Sequence, residues 1–112
     1  MNLADVIRAL DLKVLTEPKD FSAVTPTGGY AADLLSCVMT GASHNGLWVT
    51  LQAHNNIVAV AALLELAAVI ITENAQPDQT TIAKANSEGM ILLSTHEATF
   101  AVAGKLWEMG LR

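Results

Sequence analysis

A chain of 112 residues, 52% hydrophobic but only 4% aromatic, has room for one domain with an aliphatic core and none for a second. Eleven acidic against six basic side chains leave a formal charge of −5 with no cluster of Lys or Arg, which excludes the positive footprint that a nucleic-acid backbone demands. The single cysteine, Cys37, excludes an internal disulfide and a multi-cysteine metal framework, and it fits a reducing cytoplasm.

The Ala, Val, Leu and Ile that make up the apolar fraction favour an α/β protein. Met1 to Asp5 has an early acid and no positively charged lead into an apolar stretch, so it does not read as a secretory signal. The most apolar run, Ile57 to Ile71, is broken only by Glu65 and is shorter than the roughly 20 residues a membrane-spanning helix needs. It divides into a buried helix and a buried strand, and no membrane partner is expected.

In chain order, Asn2 caps a first helix over Leu3 to about Leu10, whose Leu3, Val6, Ile7 and Leu10 form an apolar stripe at helical spacing. Lys13 to Leu15 reads as a short strand, Thr16 to Asp20 as a loop around Pro18, and Phe21 to Thr25 as another extended piece. Thr27-Gly28-Gly29-Tyr30-Ala31-Ala32-Asp33 follows, a glycine turn feeding a strand; paired glycines mark backbone that bends or approaches something closely. A helix begins near Asp33, its predicted cap, and ends at Gly41. Leu47 to Leu51 reads as a strand, and an asparagine of Asn55-Asn56 is expected to cap the helix Ile57 to about Leu66.

Val69 to Thr72 is a buried-strand pattern, Gln79 to Glu88 an amphipathic helix started by Pro77-Asp78 and ended by Gly89, and Met90 to Leu93 another buried strand. Ser94-Thr95-His96-Glu97 fits a capping box for a final helix that runs to about Met109 and offers Phe100, Ala103, Leu106 and Trp107 as its apolar face. The alternation from Leu47 onward implies parallel strands joined by right-handed crossovers. The predicted architecture is a single α/β domain, 1–112, with helices layered on a mainly parallel, partly mixed sheet of about five to six strands.

In such a sheet the carboxyl ends of the strands open on one edge, where ligands collect at loops and helix N-termini. That edge is predicted to carry Thr50, Gln52, His54, Asn55 and Asn56, then Thr72, Glu73 and Asn74, then Ser94, Thr95 and His96, a hydroxyl- and amide-rich rim suited to a small anion. The Thr27, Gly28, Gly29, Tyr30 turn is placed beside the Thr50–Asn56 loop as part of the same ligand site. Helix capping alone also accounts for Asn55, Asn56, Ser94 and Thr95.

His44, His54 and His96 lack metal-ligand spacing, and no Gly-Lys-Ser/Thr follows the paired glycines, so no metal, no cofactor and no phosphate-transferring loop is expected. No nucleophile and base stand together, which points away from an enzyme. Cys37 reads as a small core residue; Trp48 and Trp107 read as core or as cover for a dimer interface.

Val24-Thr25-Pro26-Thr27-Gly28-Gly29-Tyr30, Asp33-Leu34-Leu35-Ser36, Trp48 to His54 and Asn56 to Ala61 together resemble the DRTGG domain over nearly the whole chain. Thr27, Gly28 and Gly29 match the motif that names it, while Thr25 and Pro26 stand where its aspartate and arginine would be. The resemblance implies a fold similar to the N-terminal domain of HPr kinase/phosphorylase, without the kinase domain's activity. It also implies a regulatory module like those appended to some phosphotransacetylases and CBS-containing pyrophosphatases, which pairs with itself, in some relatives near an adenine-nucleotide site. Free-standing members are similar to proteins encoded beside iron hydrogenases, which implies a structural subunit of a redox complex as the alternative function, with a protein partner and no ligand.

Overall fold

A computed structural model describes residues 1–112. In chain order the elements are α1 (Leu3–Leu10), β1 (Lys13–Val14), a 3-10 turn (Phe21–Ala23), β2 (Gly29–Ala31), α2 (Leu35–Gly41), β3 (Leu47–Thr50), α3 (Asn56–Leu63), β4 (Ala68–Ile71), α4 (Gln79–Glu88), β5 (Leu92–Ser94) and α5 (Thr99–Glu108). They build a five-stranded sheet in the order β1-β5-β4-β3-β2. β2 to β5 run parallel and β1 lies antiparallel to β5, the mainly parallel, partly mixed sheet that the sequence predicts. Phe21 to Ala23 turns instead of extending, because the Asp20 carboxylate accepts hydrogen bonds from the Ser22 N–H and hydroxyl.

Strand side chains alternate between two cores. Leu47, Val49, Ala68, Ile70 and Leu93 pack with Leu3, Val6 and Leu10 of α1 and with Val102 and Leu106 of α5. Trp48, Val69, Ile71 and Leu92 face the other way, onto Val38 of α2, Ile57, Val58 and Ala61 of α3, and Ala85 of α4. Both faces of the central strands are covered, which is why β3, β4 and β5 read as unbroken apolar runs.

Local signals set several helix ends. Asn2 and Asp5 form a reciprocal capping box on α1, with the Asp5 N–H donating to Asn2 Oδ1 at 2.9 Å and the Asn2 N–H to Asp5 Oδ2 at 3.0 Å. Asp78 caps α4 by accepting the Thr81 N–H at 2.8 Å, and Gly89 closes it with φ +70°.

Elsewhere the tertiary structure overrides the local reading. Leu34, not Asp33, occupies the N-cap of α2, and Gly41 is the last residue of that helix with ordinary φ. Its missing side chain makes room for the Tyr30 ring, which a Cβ there would overlap. Cys37 is exposed, because the short α2 buries only Val38. On α5 the sheet-facing stripe is Val102 and Leu106; Phe100 and Trp107, predicted inward, lie 91% and 59% exposed. Trp48 is fully buried, its indole N–H donating to the Ala32 carbonyl at 2.8 Å.

Candidate functional site

The crossover helices α2, α3 and α4 pack on one face of the sheet as the chain steps from β2 to β5, whereas α5 returns over the opposite face. The loops leaving β4 and β5 therefore diverge. Such a divergence opens a crevice at the carboxyl ends of the two strands, the usual ligand position in open α/β sheets. A polar cleft of about 430 Å³ occupies that place, walled by Asn74 and Gln76 after β4, Ser94, Thr95, His96 and Glu97 after β5, Asp11 and Lys13 before and within β1, and Lys105 of α5.

The cleft's walls are held by backbone that departs from ordinary geometry. Glu73 and Asn74 both adopt left-handed φ, +61° and +58°, with their N–H groups donating to the Glu97 and Thr95 carbonyls at 2.8 and 3.1 Å. Consecutive non-glycine residues in this region are costly and collect at sites where function requires them. The Glu73 carboxylate accepts the Thr99 N–H at 2.7 Å and so caps α5, while the Thr72 and Thr99 hydroxyls share a hydrogen bond of 2.6 Å. The capping box expected of Ser94 and Glu97 does not form: α5 starts two residues after Glu97, the Glu97 carboxylate takes Lys105 Nζ at 2.7 and 2.8 Å, and Thr95 Oγ1 accepts the Glu97 N–H at 3.2 Å. Lys13 has no carboxylate partner and is the uncommitted cation of the cleft.

At the same rim, the ends of β2 and β3 are latched together. The Asp33 carboxylate accepts the Thr50 hydroxyl and the Leu51 N–H, each at 2.9 Å, and Gln52 Nε2 donates to the Asp33 carbonyl at 3.2 Å. Thr50 is buried and, with Gln52, already engaged. Asn55 makes no side-chain cap on α3; His54 Nδ1 accepts the Asn56 N–H at 3.3 Å in its place. Asp78 lies near this loop, and its carboxyl is held below the ordinary 3.8 first by the Thr81 hydrogen bonds and then by the charge of His54.

The glycine turn lies elsewhere. Thr27 and Gly28 precede β2 and stand at the amino ends of the strands, so the length of β2, about 10 Å, separates them from the Thr50–Asn56 loop. The two do not form one rim. Thr27 donates its hydroxyl to the His44 carbonyl at 2.7 Å and its N–H to the Asn45 carbonyl at 3.0 Å, and Asn45 Nδ2 reaches the Thr25 carbonyl at 2.9 Å. Neither glycine has positive φ; Gly28 is required by close approach, since a Cβ would stand 3.3 Å from the Arg112 carbonyl oxygen. The Tyr30 side chain points to the α2 side and packs on that core. Of the predicted rim residues, Asn74, Ser94, Thr95 and His96 line the cleft, with Thr72 buried in the strand-end network beneath its wall. Lys13, Gln76 and Lys105 were not legible, because only the antiparallel register of Lys13 with Ser94 and the path of α5 bring them there.

No group of three or more His, Cys, Asp or Glu side chains converges to hold a metal ion, and no helix is long and apolar enough to cross a membrane. The sequence profile of the DRTGG domain matches residues 5–109. This chain belongs to the DRTGG domain family. No curated protein matches it. Among solved structures, this DRTGG domain is similar to the CBS and DRTGG domains of the regulatory region of Clostridium perfringens pyrophosphatase, complexed with its activator diadenosine tetraphosphate. The TM-score is 0.73 at 14% identity, over 91% of this chain but only 44% of that one, so the likeness is one of fold. Of the DRTGG motif positions, Thr27 and Gly28 hold the start of β2 to the His44–Leu47 segment, and Gly29 is the first residue of the strand.

Proposed function

We propose that this DRTGG domain is a non-catalytic regulatory module that associates with itself and binds a small anion, an adenine nucleotide being the leading case, in the cleft between the loops after β4 and β5. The observation that carries this reading is the cleft itself: polar, at the divergence of the two loops, walled in part by the left-handed Asn74 and supplied with one unpaired cation, Lys13. Ser94 and Thr95 offer hydroxyls there, Asn74 and Gln76 offer amides, and Lys13 offers the charge that a phosphate seeks. The Thr50–Asn56 loop takes the lesser part of holding the rim's shape. The diadenosine tetraphosphate of the pyrophosphatase's regulatory region supports a nucleotide as the first ligand to try.

Thermal unfolding with ATP, diadenosine tetraphosphate and inorganic phosphate tests this. A ligand at 100 times its Kd should stabilise the domain by about 2.7 kcal/mol, and Lys13→Ala should abolish most of that shift. No shift with any of the three overturns the ligand. A second reading, a structural subunit that contacts another protein and binds no small ligand, draws on the exposed Phe100 and Trp107.

A further inference from the structure

We infer that this chain pairs with a second copy of itself along the free edge of β2, joining two sheets antiparallel across a two-fold axis with the two α5 helices side by side. This names the surface for the self-association proposed above, on which it rests.

The backbone of β2 is half used. Leu47 N–H donates to the Gly28 carbonyl and Ala32 N–H to the Val49 carbonyl, so in this parallel ladder residues 28, 30 and 32 bond to β3, while the N–H and C=O of Gly29 and Ala31 point away from the sheet. Both residues are exposed and neither has a side chain large enough to block an approaching strand. Across a two-fold axis at Tyr30, Gly29 of one protomer falls opposite Ala31 of its partner, and each such pair exchanges two hydrogen bonds.

The helix layer fits the same operation. α5 packs on β2 and β3 alike, so its axis lies about half a strand spacing inside β2. With strands about 4.8 Å apart, the two α5 axes would stand about 10 Å apart, the separation at which helices pack. The α5 side toward this edge carries Ala103 and Trp107, which line a groove of about 190 Å³ with Gly29 and Ala31, and Gly104, which has open space around it. Phe100 lies one turn from Ala103 and two from Trp107 on that face, 91% exposed. The patch thus holds a projecting ring beside a hollow of small residues, the self-complementary pattern that an isologous interface requires.

Charge and area point the same way. From Phe21 to Leu64 the only charged side chain is Asp33, and it is hydrogen-bonded to Thr50 and Leu51, so the β2 edge and α2 bring no free like charges together. α5 and the segment after it add Lys105, Glu108 and Arg112, charges of both signs, with Arg112 lining the groove over the Trp107 ring at 5.2 Å. Aromatic side chains bring about 150–250 Å² each. At 91% and 59% exposure, Phe100 and Trp107 supply roughly 200–400 Å² of the about 800 Å² per partner in a standard interface. The β2 edge and the exposed Leu34 and Met39 flanking it through α2 contribute to the remainder.

Sedimentation velocity from about 1 to 200 µM reads the outcome. The expected wild-type result is a concentration-dependent dimer, with the Gly29 and Ala31 amides gaining hydrogen-exchange protection as it forms. Phe100→Glu and Ala31→Pro should each weaken it at least about 10-fold, whereas Leu63→Glu, at an exposed apolar position on α3, should not. Because Phe100 is solvent-exposed, its variant keeps the wild-type circular dichroism spectrum. A wild-type chain that stays monomeric overturns self-association itself. A dimer that neither Phe100→Glu nor Ala31→Pro weakens, or whose Gly29 and Ala31 amides gain no protection, overturns this surface and leaves self-association standing.

Discussion

At one edge of the sheet, β1 is two residues long, exposes Lys13, and leads into Glu17-Pro18-Lys19; at the other, β2 exposes Gly29 and Ala31 with no charge before Asp33. The β1 edge is also fastened from outside, the Glu17 N–H donating to Asn86 Oδ1 at 2.8 Å and Lys19 Nζ to the Gly89 carbonyl at 2.7 Å, both on α4 and its cap. Short length, lysine and proline are the devices by which natural sheets turn away another strand. β2 shares the short length but carries no lysine, and its flanking proline, Pro26, is buried instead of guarding the edge. The difference teaches that the same sheet is closed on one side by sequence and left open on the other.

The two edges also hang on different internal anchors, and removing these should give the largest effects. Trp48 fills the core beneath β2 and holds the Ala32 carbonyl, so Trp48→Ala should cost about 3–5 kcal/mol in chemical denaturation. On the other side, buried Thr16 extends the β1 pairing with its side chain, Oγ1 accepting the Leu92 N–H at 3.2 Å. Thr16→Val leaves that buried N–H without a partner and should cost about 1–3 kcal/mol, with amide exchange rising first at Leu15 and Leu92.

Exchanging the edges' characters should scarcely move stability. Ala31→Lys gives β2 a guard and should change unfolding free energy by no more than about 0.5 kcal/mol while suppressing association in sedimentation. Lys13→Val strips the guard from β1 and should instead add larger species at high concentration. If both variants sediment like wild type, the contrast between the edges has no consequence in solution.

The smallest effect is confined to acid. The Asn2 N–H, and then Arg8, hold the Asp5 carboxyl below 3.8, and the Thr81 hydrogen bonds do the same for Asp78. A carboxyl whose folded pKa is depressed stabilises fully above its unfolded value and loses that contribution as pH falls through the folded one. Thermal melts should therefore be flat from about pH 7 to 5 and fall below about pH 4. Asp78→Asn, which keeps a competent cap, should match wild type at neutral pH and show a shallower acid-side loss.

Much of the fold was legible because its signals are local. Asp78 and Gly89 bound α4 at the residues where a cap and a left-handed stop belong, and Asn2 with Asp5 opens α1. The site was only half legible. Ser94 and Thr95 follow from the rule that strand carboxyl ends open on one rim, but that rule ranks no strand above another. Lys13 comes to the cleft through an antiparallel pairing with a strand that starts seventy-nine positions later in the chain, which no local pattern encodes.

The sequence by itself determined which segments are helix and which are strand, Phe21–Ala23 excepted, that the central strands are buried on both faces, and that no Gly-Lys-Ser/Thr follows Thr27-Gly28-Gly29. Period, caps and residue types fix these within a few neighbouring positions. Only the tertiary structure decided that the glycine turn sits at the amino end of β2, that His54 caps α3 and Glu73 caps α5, and that Phe100 and Trp107 face outward beside an open edge. Each of these depends on strand order and on the face each helix takes, and those are settled by contacts between residues far apart in the chain.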